Sequence, residues 1–179
     1  MNEKKRNKMF ILETEMLKLI PLDANNLRYS IEDRRKMEWN LGVKITDTEL
    51  EKPLSEAMRT SLEMVLENKK DYLWFTSWEI VLKKENRIIG GLCFKGCPDE
   101  KGRAEIGYGM QDEYRSKGYM TEAVKELINW AFSFNHVTEV IAETEKDNFP
   151  SHRVLEKVGM EKYKENEKMF WWKRRKYVK

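Results

Sequence analysis

Apolar positions recur at helical spacing in one stretch of this chain and cluster at strand length on either side of it. From Ala123, the residues Leu127, Ala131 and Phe134, flanked by Val124, Ile128 and Trp130, lay one apolar stripe along a helix, ready to be covered by a sheet. Before the helix, Ala104-Glu105-Ile106-Gly107-Tyr108-Gly109-Met110 is short and rich in β-formers. After it, Val137-Thr138-Glu139-Val140-Ile141-Ala142 has the same character. Strand, helix, strand in that order is a crossover, so the two strands are expected to run parallel, with the loop into the helix at the carboxyl end of the first. Open sheets bind their ligands at that end.

The remaining pattern fills in a sheet and an arm. Met16-Leu17-Lys18-Leu19-Ile20 reads as a first strand stopped by Pro21. Asp23 caps a helix carrying Leu27, Ile31 and Met37, and Pro53 opens another with Leu54, Met58, Leu62 and Val65 on one face, the two forming one arm. Trp74 to Leu82 and Arg87 to Phe94 are apolar-rich runs joined by the polar turn Lys84-Glu85-Asn86, a β-hairpin that feeds the Glu105 strand. Beyond the second parallel strand, Asp147 to Ser151 starts a short helix with Pro150 in its first turn. Val154, Leu155 and Val158 are its apolar face and Gly159 its left-handed cap. Two strands follow, around Lys162 and from Met169 to Tyr177. With no internal repeat or low-complexity linker, residues 1–179 are expected to form one domain. Its class is a mixed α+β layout, mostly antiparallel before the crossover.

Charge narrows the function without naming it. Lys+Arg number 34 and Asp+Glu 31, a net charge of +3 that does not suggest a nucleic-acid partner. The basic runs Lys4-Lys5-Arg6 and Lys173-Arg174-Arg175-Lys176 read as a solvated tail and a strand edge. Cys93 and Cys97 are too few for a disulfide framework and have no nearby His, so no metal is expected and a reducing cytoplasm fits. His136 and His152 read as structural. Met9-Phe10-Ile11-Leu12 is too short for a signal segment, and no membrane span is visible.

The chemistry concentrates in Arg115-Ser116-Lys117-Gly118-Tyr119-Met120-Thr121-Glu122-Ala123. A glycine turn running straight into a helix offers unpaired N–H groups and the positive end of the helix dipole to an anion. Gly118 lets a phosphate approach the backbone and adopts positive φ without strain, and Arg115 and Lys117 add cationic donors at the rim. Alone, such a turn is also a common way to redirect a chain. The Gly-x-x-x-x-Gly-Lys-Ser/Thr spacing of nucleotide P-loops is absent.

Taken together, Glu-Ile-Gly-Tyr at 105–108, Arg-x-x-Gly-Tyr-x-Thr-Glu-Ala at 115–123, then Asn148, Ser151 and Val-Leu-Glu-Lys-Val-Gly at 154–159 resemble the GCN5-related N-acetyltransferase (GNAT) superfamily. They are most similar to the branch containing ribosomal-protein N-terminal alanine acetyltransferases. The resemblance spans nearly the whole chain, although the N-terminal third matches only in element order. It implies a GNAT-type fold, with a central mixed sheet, helices on both faces, and a bulged first parallel strand splayed from its neighbour at the cofactor site. It also implies transfer of an acetyl group from acetyl-CoA to a primary amine, of a peptide N-terminus or a small molecule, in a ternary complex. By that resemblance the backbone amides of Ser116, Lys117, Gly118, Tyr119, Met120 and Thr121, with Arg115 opening the loop, hold the CoA diphosphate. The backbones of Tyr108 and Met110 pair with pantetheine and the thioester carbonyl, Asn148 contacts the pantetheine arm, and Ser151 lies near the thiol. Two positions depart from the pattern: Met120 stands where Gly or Ala is usual, and Leu155 stands where many members carry a general-acid Tyr.

An attacking amine must be neutral, so a base is useful. Glu105 is the candidate, at the start of the strand and sharing a face with Gly107 and Gly109, which leave room for a ligand. The competing reading pairs Glu105 with Arg103, Lys95 or another basic side chain. Trp39, Trp74, Phe75 and Trp78 flank the acceptor side but read as core, Trp171 and Trp172 as straddling a late strand, and Glu122 as a first-turn residue suited to the helix dipole. A non-catalytic CoA-binding or sensing module of the same fold is the alternative function. The oligomeric state stays open between a monomer and a homodimer.

Overall fold

The computed structural model describes residues 9–46 and 52–177. The basic run Lys4-Lys5-Arg6 lies outside the described residues. Eight strands form one sheet: β1 (Leu12–Glu13), β2 (Leu17–Pro21), β3 (Ser77–Leu82), β4 (Arg87–Phe94), β5 (Arg103–Met110), β6 (Glu139–Glu145), β7 (Glu161–Glu165) and β8 (Met169–Arg175). Their order is β1-β2-β3-β4-β5-β6-β8-β7, and β5 with β6 is the parallel pair among antiparallel neighbours. The helices are α1 (Ala24–Glu32), α2 (Arg34–Leu41), α3 (Lys52–Glu67), α4 (Tyr119–Phe132) and α5 (Phe149–Lys157). This is the mixed α+β architecture expected from the residues.

Strand alternation divides the core in two. Leu17, Leu19, Trp78, Ile80 and Leu82 point into the larger core with Ala123, Val124, Leu127 and Ile128 of α4 and Leu155 of α5. Ile20 and Val81 point to the opposite face, where Leu27, Met37, Met58 and Val65 of α1–α3 cover them. Three buried indoles weld the first core, with ring centroids 4.6 Å apart for Trp74–Trp130 and 5.2 Å for Trp78–Trp130.

Several boundaries differ from the sequence reading, each for a local reason. The helix expected from Asp23 through Met37 is two helices, because Asp33 leaves helical geometry (φ −157°) and its carboxylate accepts the Lys36 N–H to start α2. Tyr72–Trp74 is a one-turn 3-10 helix, so the first hairpin strand begins at Ser77. Pro21 ends β2 from within, as its last residue. The short strand β1 lies in the stretch read only as too brief for a signal segment. Val137 and Thr138 precede β6, and Phe134 lies beyond α4 yet still packs on Trp74. The run Lys173–Lys176 is not an edge, since β8 lies between β6 and β7, and β7, exposed along its length, is the border on that side of the sheet. Trp39 is not core: it is 71% exposed on α2. The expected bulge is absent from β5, whose register against β4 is continuous; the register shifts instead between β3 and β4 at Ile80/Val81 and between β7 and β8 at Lys162/Lys164.

Candidate active site

The parallel strands pair only over Arg103↔Glu139, Ala104↔Val140 and Glu105↔Ile141, then part. Lys95 N–H donates to Glu105 C=O at 2.9 Å and Gln111 N–H to Ile89 C=O at 3.0 Å. Antiparallel alternation therefore aims the backbone groups of Glu105, Gly107 and Gly109 at β4, and those of Tyr108 and Met110 away from it, into the gap beside β6. The structure thus brings the two predicted backbone positions onto an open strand edge.

The loop between β5 and α4 opens at the same end. Ser116 (φ +61°) and Gly118 (φ +87°) are left-handed, and Gly118 sits at the N-cap of α4 with no side-chain cap. Arg115 N–H bonds to Asp112 C=O and Glu122 N–H to Gly118 C=O. Between them, no N–H from Ser116 to Thr121 has a partner among the described residues. A Cβ built at Gly118 would meet nothing within 4 Å. Six successive N–H groups without a partner among the described residues, a helix N-terminus and open space at Gly118 are what an anion cradle requires. The donor set suits a diphosphate, so the residues present fit CoA. Beside the loop, a cleft of about 510 Å³ takes in Gly118, Thr121, Lys125 and Asn129 of α4 and Lys157 of α5. Helical spacing puts Thr121, Lys125 and Asn129 on one face of α4, but Lys157 joins them only because α5 packs beside α4.

Individual side chains fall as follows. Arg115 folds back, its Nη2 2.8 Å from Asp112 Oδ1 and its Nε 3.4 Å from Met110 O, and so braces the loop on β5. Lys117 Nζ sits 5.4 Å over the Tyr114 ring. The Tyr114 hydroxyl donates to Glu85 Oε2 at 2.7 Å, pinning the loop to the β3–β4 turn. That bond holds the Glu85 carboxyl below its ordinary range and raises the Tyr114 phenol. Sequence reasoning missed this tether, since nothing local links residues 85 and 114. Asn148 caps α5, its Oδ1 accepting the Ser151 N–H at 3.2 Å. Ser151 C=O accepts the Tyr108 hydroxyl at 3.2 Å. Leu155, where a hydroxyl is usual, is fully buried.

Glu105 faces Lys95 across the strands, and the two side chains form an ion pair, while Arg103 pairs with Asp99 at 2.7 Å. Of the partners considered for Glu105, Lys95 is the one in contact. Asp99 also accepts the N–H groups of Lys101 and Arg103, and with the Arg103 guanidinium these pull its carboxyl down to about 2. Glu122 Oε1 accepts Met16 N–H at 2.9 Å, tying α4 to the first strands. His152 is structural, its Nε2 2.9 Å from Glu145 O and its ring against Phe170 and Trp172. Trp172 is buried and Trp171 half-buried on opposite faces of β8. Among the described residues, no group of three or more His, Cys, Asp or Glu could hold a metal, and no helix is long and apolar enough to cross a membrane.

The chain is similar to known proteins in sequence and in fold. The sequence model of the family described as "Acetyltransferase (GNAT) domain" matches residues 16–161. The uncharacterised N-acetyltransferase YjdG of Bacillus subtilis (strain 168) is 36% identical over 151 residues, 84% of this chain and 89% of YjdG. Among solved structures, the ribosomal-protein-S5-alanine acetyltransferase from Vibrio fischeri superposes with a TM-score of 0.67 at 20% identity, over 93% of this chain and 96% of that one. RimL, a ribosomal L7/L12 alpha-N-protein acetyltransferase solved in complex with coenzyme A, gives 0.67 at 14% identity, over 93% and 98%. These two likenesses speak to the fold, and the sequence matches to the family. With an open loop before α4 and a parting parallel pair beside it, this chain belongs to the GNAT acetyltransferase family.

Proposed function

We propose that this protein is an acetyl-CoA-dependent N-acetyltransferase, a single domain acting in the cytoplasm as a monomer or homodimer on the primary amine of a peptide N-terminus or a small molecule. The observation that carries this reading is the run of six unpartnered amides from Ser116 to Thr121, set beside the open β5 edge. The CoA-bound RimL neighbour supports the donor, and the ribosomal-protein acetyltransferases among the structural neighbours support an amine acceptor. Acetyl-CoA, when bound, supplies an activated thioester.

The chain's own residues do the rest. The loop amides of Ser116–Thr121 take the diphosphate, and the backbones of Tyr108 and Met110 hold pantetheine and the thioester carbonyl. Asn148 spends its Oδ1 on the α5 cap, which leaves its amide N–H₂ for the pantetheine arm. Glu105 lies on the face that Gly107 and Gly109 leave bare, and it accepts the amine's proton in exchange for its contact with Lys95. Ser151 stands by the departing thiol.

The test is acetyl-CoA turnover against pooled amines and N-terminal peptides, with mass spectrometry of the product. Leu155 favours one other reading, a CoA-binding module without catalysis. Tight acetyl-CoA binding with no CoA release across the panel would select it. Once an acceptor is found, Glu105→Gln is expected to lower turnover at neutral pH about 10²-fold, with partial recovery at high pH and little change in acetyl-CoA affinity. Turnover unchanged across the pH range removes Glu105 from the mechanism.

A further inference from the structure

Tyr108 turns its backbone to the gap and its side chain to α5, and only its backbone is used above. Strand alternation puts its side chain with Ala104 and Ile106, on the face covered by α4 and α5, and its hydroxyl crosses to α5 to meet Ser151 C=O. The 3.2 Å bond is long for a hydroxyl donor, whose contacts centre near about 2.7–2.8 Å. Its acceptor lies inside α5, where helix geometry already supplies the N–H four residues on. The phenolic hydrogen is therefore loosely committed, and at the point on α5 where a donor is usual the side chain is Leu155.

We infer that the Tyr108 hydroxyl donates a hydrogen bond to the sulfur that leaves during acetyl transfer, an inference that rests on the acetyl-CoA reading above. In that step the amine's C–N bond forms as the C–S bond breaks. The electron pair of the broken bond goes to sulfur, and the amine's proton goes to Glu105 or water. The phenol keeps its own proton. Burial pushes Tyr108 up to about 12, against about 8.5 for a free thiol, so full transfer to the thiolate is uphill while hydrogen bonding to it is favourable. A donor that stays protonated wherever amines are neutral stabilises the thiolate throughout the working range.

The thiol of bound CoA reads this contact directly and needs no acceptor. In the full chain saturated with CoA, thiolate absorbance is followed through a pH titration. Tyr108→Phe is expected to make the bound thiol titrate about one pH unit higher than in the unsubstituted protein. Replacing Tyr108 with 3-fluorotyrosine, which keeps the shape and strengthens the donor, is expected to make it titrate lower. This second variant decides the matter if Tyr108→Phe does not fold. A purely structural tether to α5 would move neither value. CoA that binds all variants with one common thiol titration overturns the inference and leaves the function standing. Failure of the unsubstituted protein to bind CoA overturns the function first, and the inference with it.

Discussion

The N-termini of α4 and α5 flank one gap and were finished in opposite ways. At α5, Asn148 accepts the Ser151 N–H, as Asp23 accepts the Asn26 N–H at α1 and Asp33 the Lys36 N–H at α2. At α4 the cap position is Gly118, which has no side chain to offer, and the donors from Ser116 to Thr121 have no partner among the described residues. A polar cap is worth about 1 kcal/mol, and three helices take it. Among the α-helices whose starts are described, α4 alone forgoes it, and what remains is the positive end of a helix dipole beside open space at Gly118. The contrast teaches that the uncapped start of α4 departs from the three other α-helix starts described, at α1, α2 and α5.

The largest effect belongs to Gly118→Asp. It supplies the missing cap and a negative charge together, so the α4 end becomes like the others. CoA binding by calorimetry is expected to vanish, while the fold survives, because the new Cβ meets no atom within 4 Å and costs only the strain of its positive φ. Wild-type affinity in the folded variant would refute the cradle.

Asn148→Ala opens the other end. It is expected to lower stability by about 1 kcal/mol and Tm by about 2–4 °C, with CoA affinity reduced far less than by Gly118→Asp. If both variants abolish CoA binding equally, the distinction between a binding end and a capped end collapses.

The smallest effect sharpens the comparison from the arm. There, buried charges are compensated by other side chains: Glu38 accepts Thr46 N–H and Oγ1–H at 2.7 Å each, and Arg34 lies 3.5 Å from Glu38 and 3.8 Å from Glu79. Burial raises the Glu79 carboxyl, with Glu38 adding to the rise and Arg34 opposing it. The folded state thus holds a proton that the unfolded chain releases, so this group's contribution to stability is full below the ordinary carboxylate pKa and declines as pH rises through the raised value. Glu79→Gln mimics the protonated form. Urea unfolding should find it more stable than the unsubstituted protein at pH 7 and equal to it near pH 4, and an identical pH profile for the two would remove Glu79 as the source.

The turns and caps around the candidate donor site were legible because their signals are local. Gly118 ahead of an apolar stripe, Asn148 ahead of Pro150, and Gly107 and Gly109 alternating in a strand each work within a few residues of themselves. The arm was less legible. The sequence reading carried one helix from Leu27 through Ile31 to Met37, across the polar residues 32–36, and Asp33 disclosed itself as a second cap only when the backbone turned there. Trp39 looked like core by residue type, yet its place on α2 faces water.

By itself, then, the amino-acid sequence determined most of the elements, the crossover and the glycine turn before α4, since turns, caps and periodicity are set by neighbours along the chain, and its motifs carried the resemblance to the family. Tertiary structure alone decided which distant groups meet. Glu105 pairs with Lys95 because β4 and β5 run in that register, Tyr108 reaches Ser151 43 positions away, and Glu122 holds Met16 across 106. No local rule encodes such contacts, because they depend on how the sheet is ordered and on which face each helix covers.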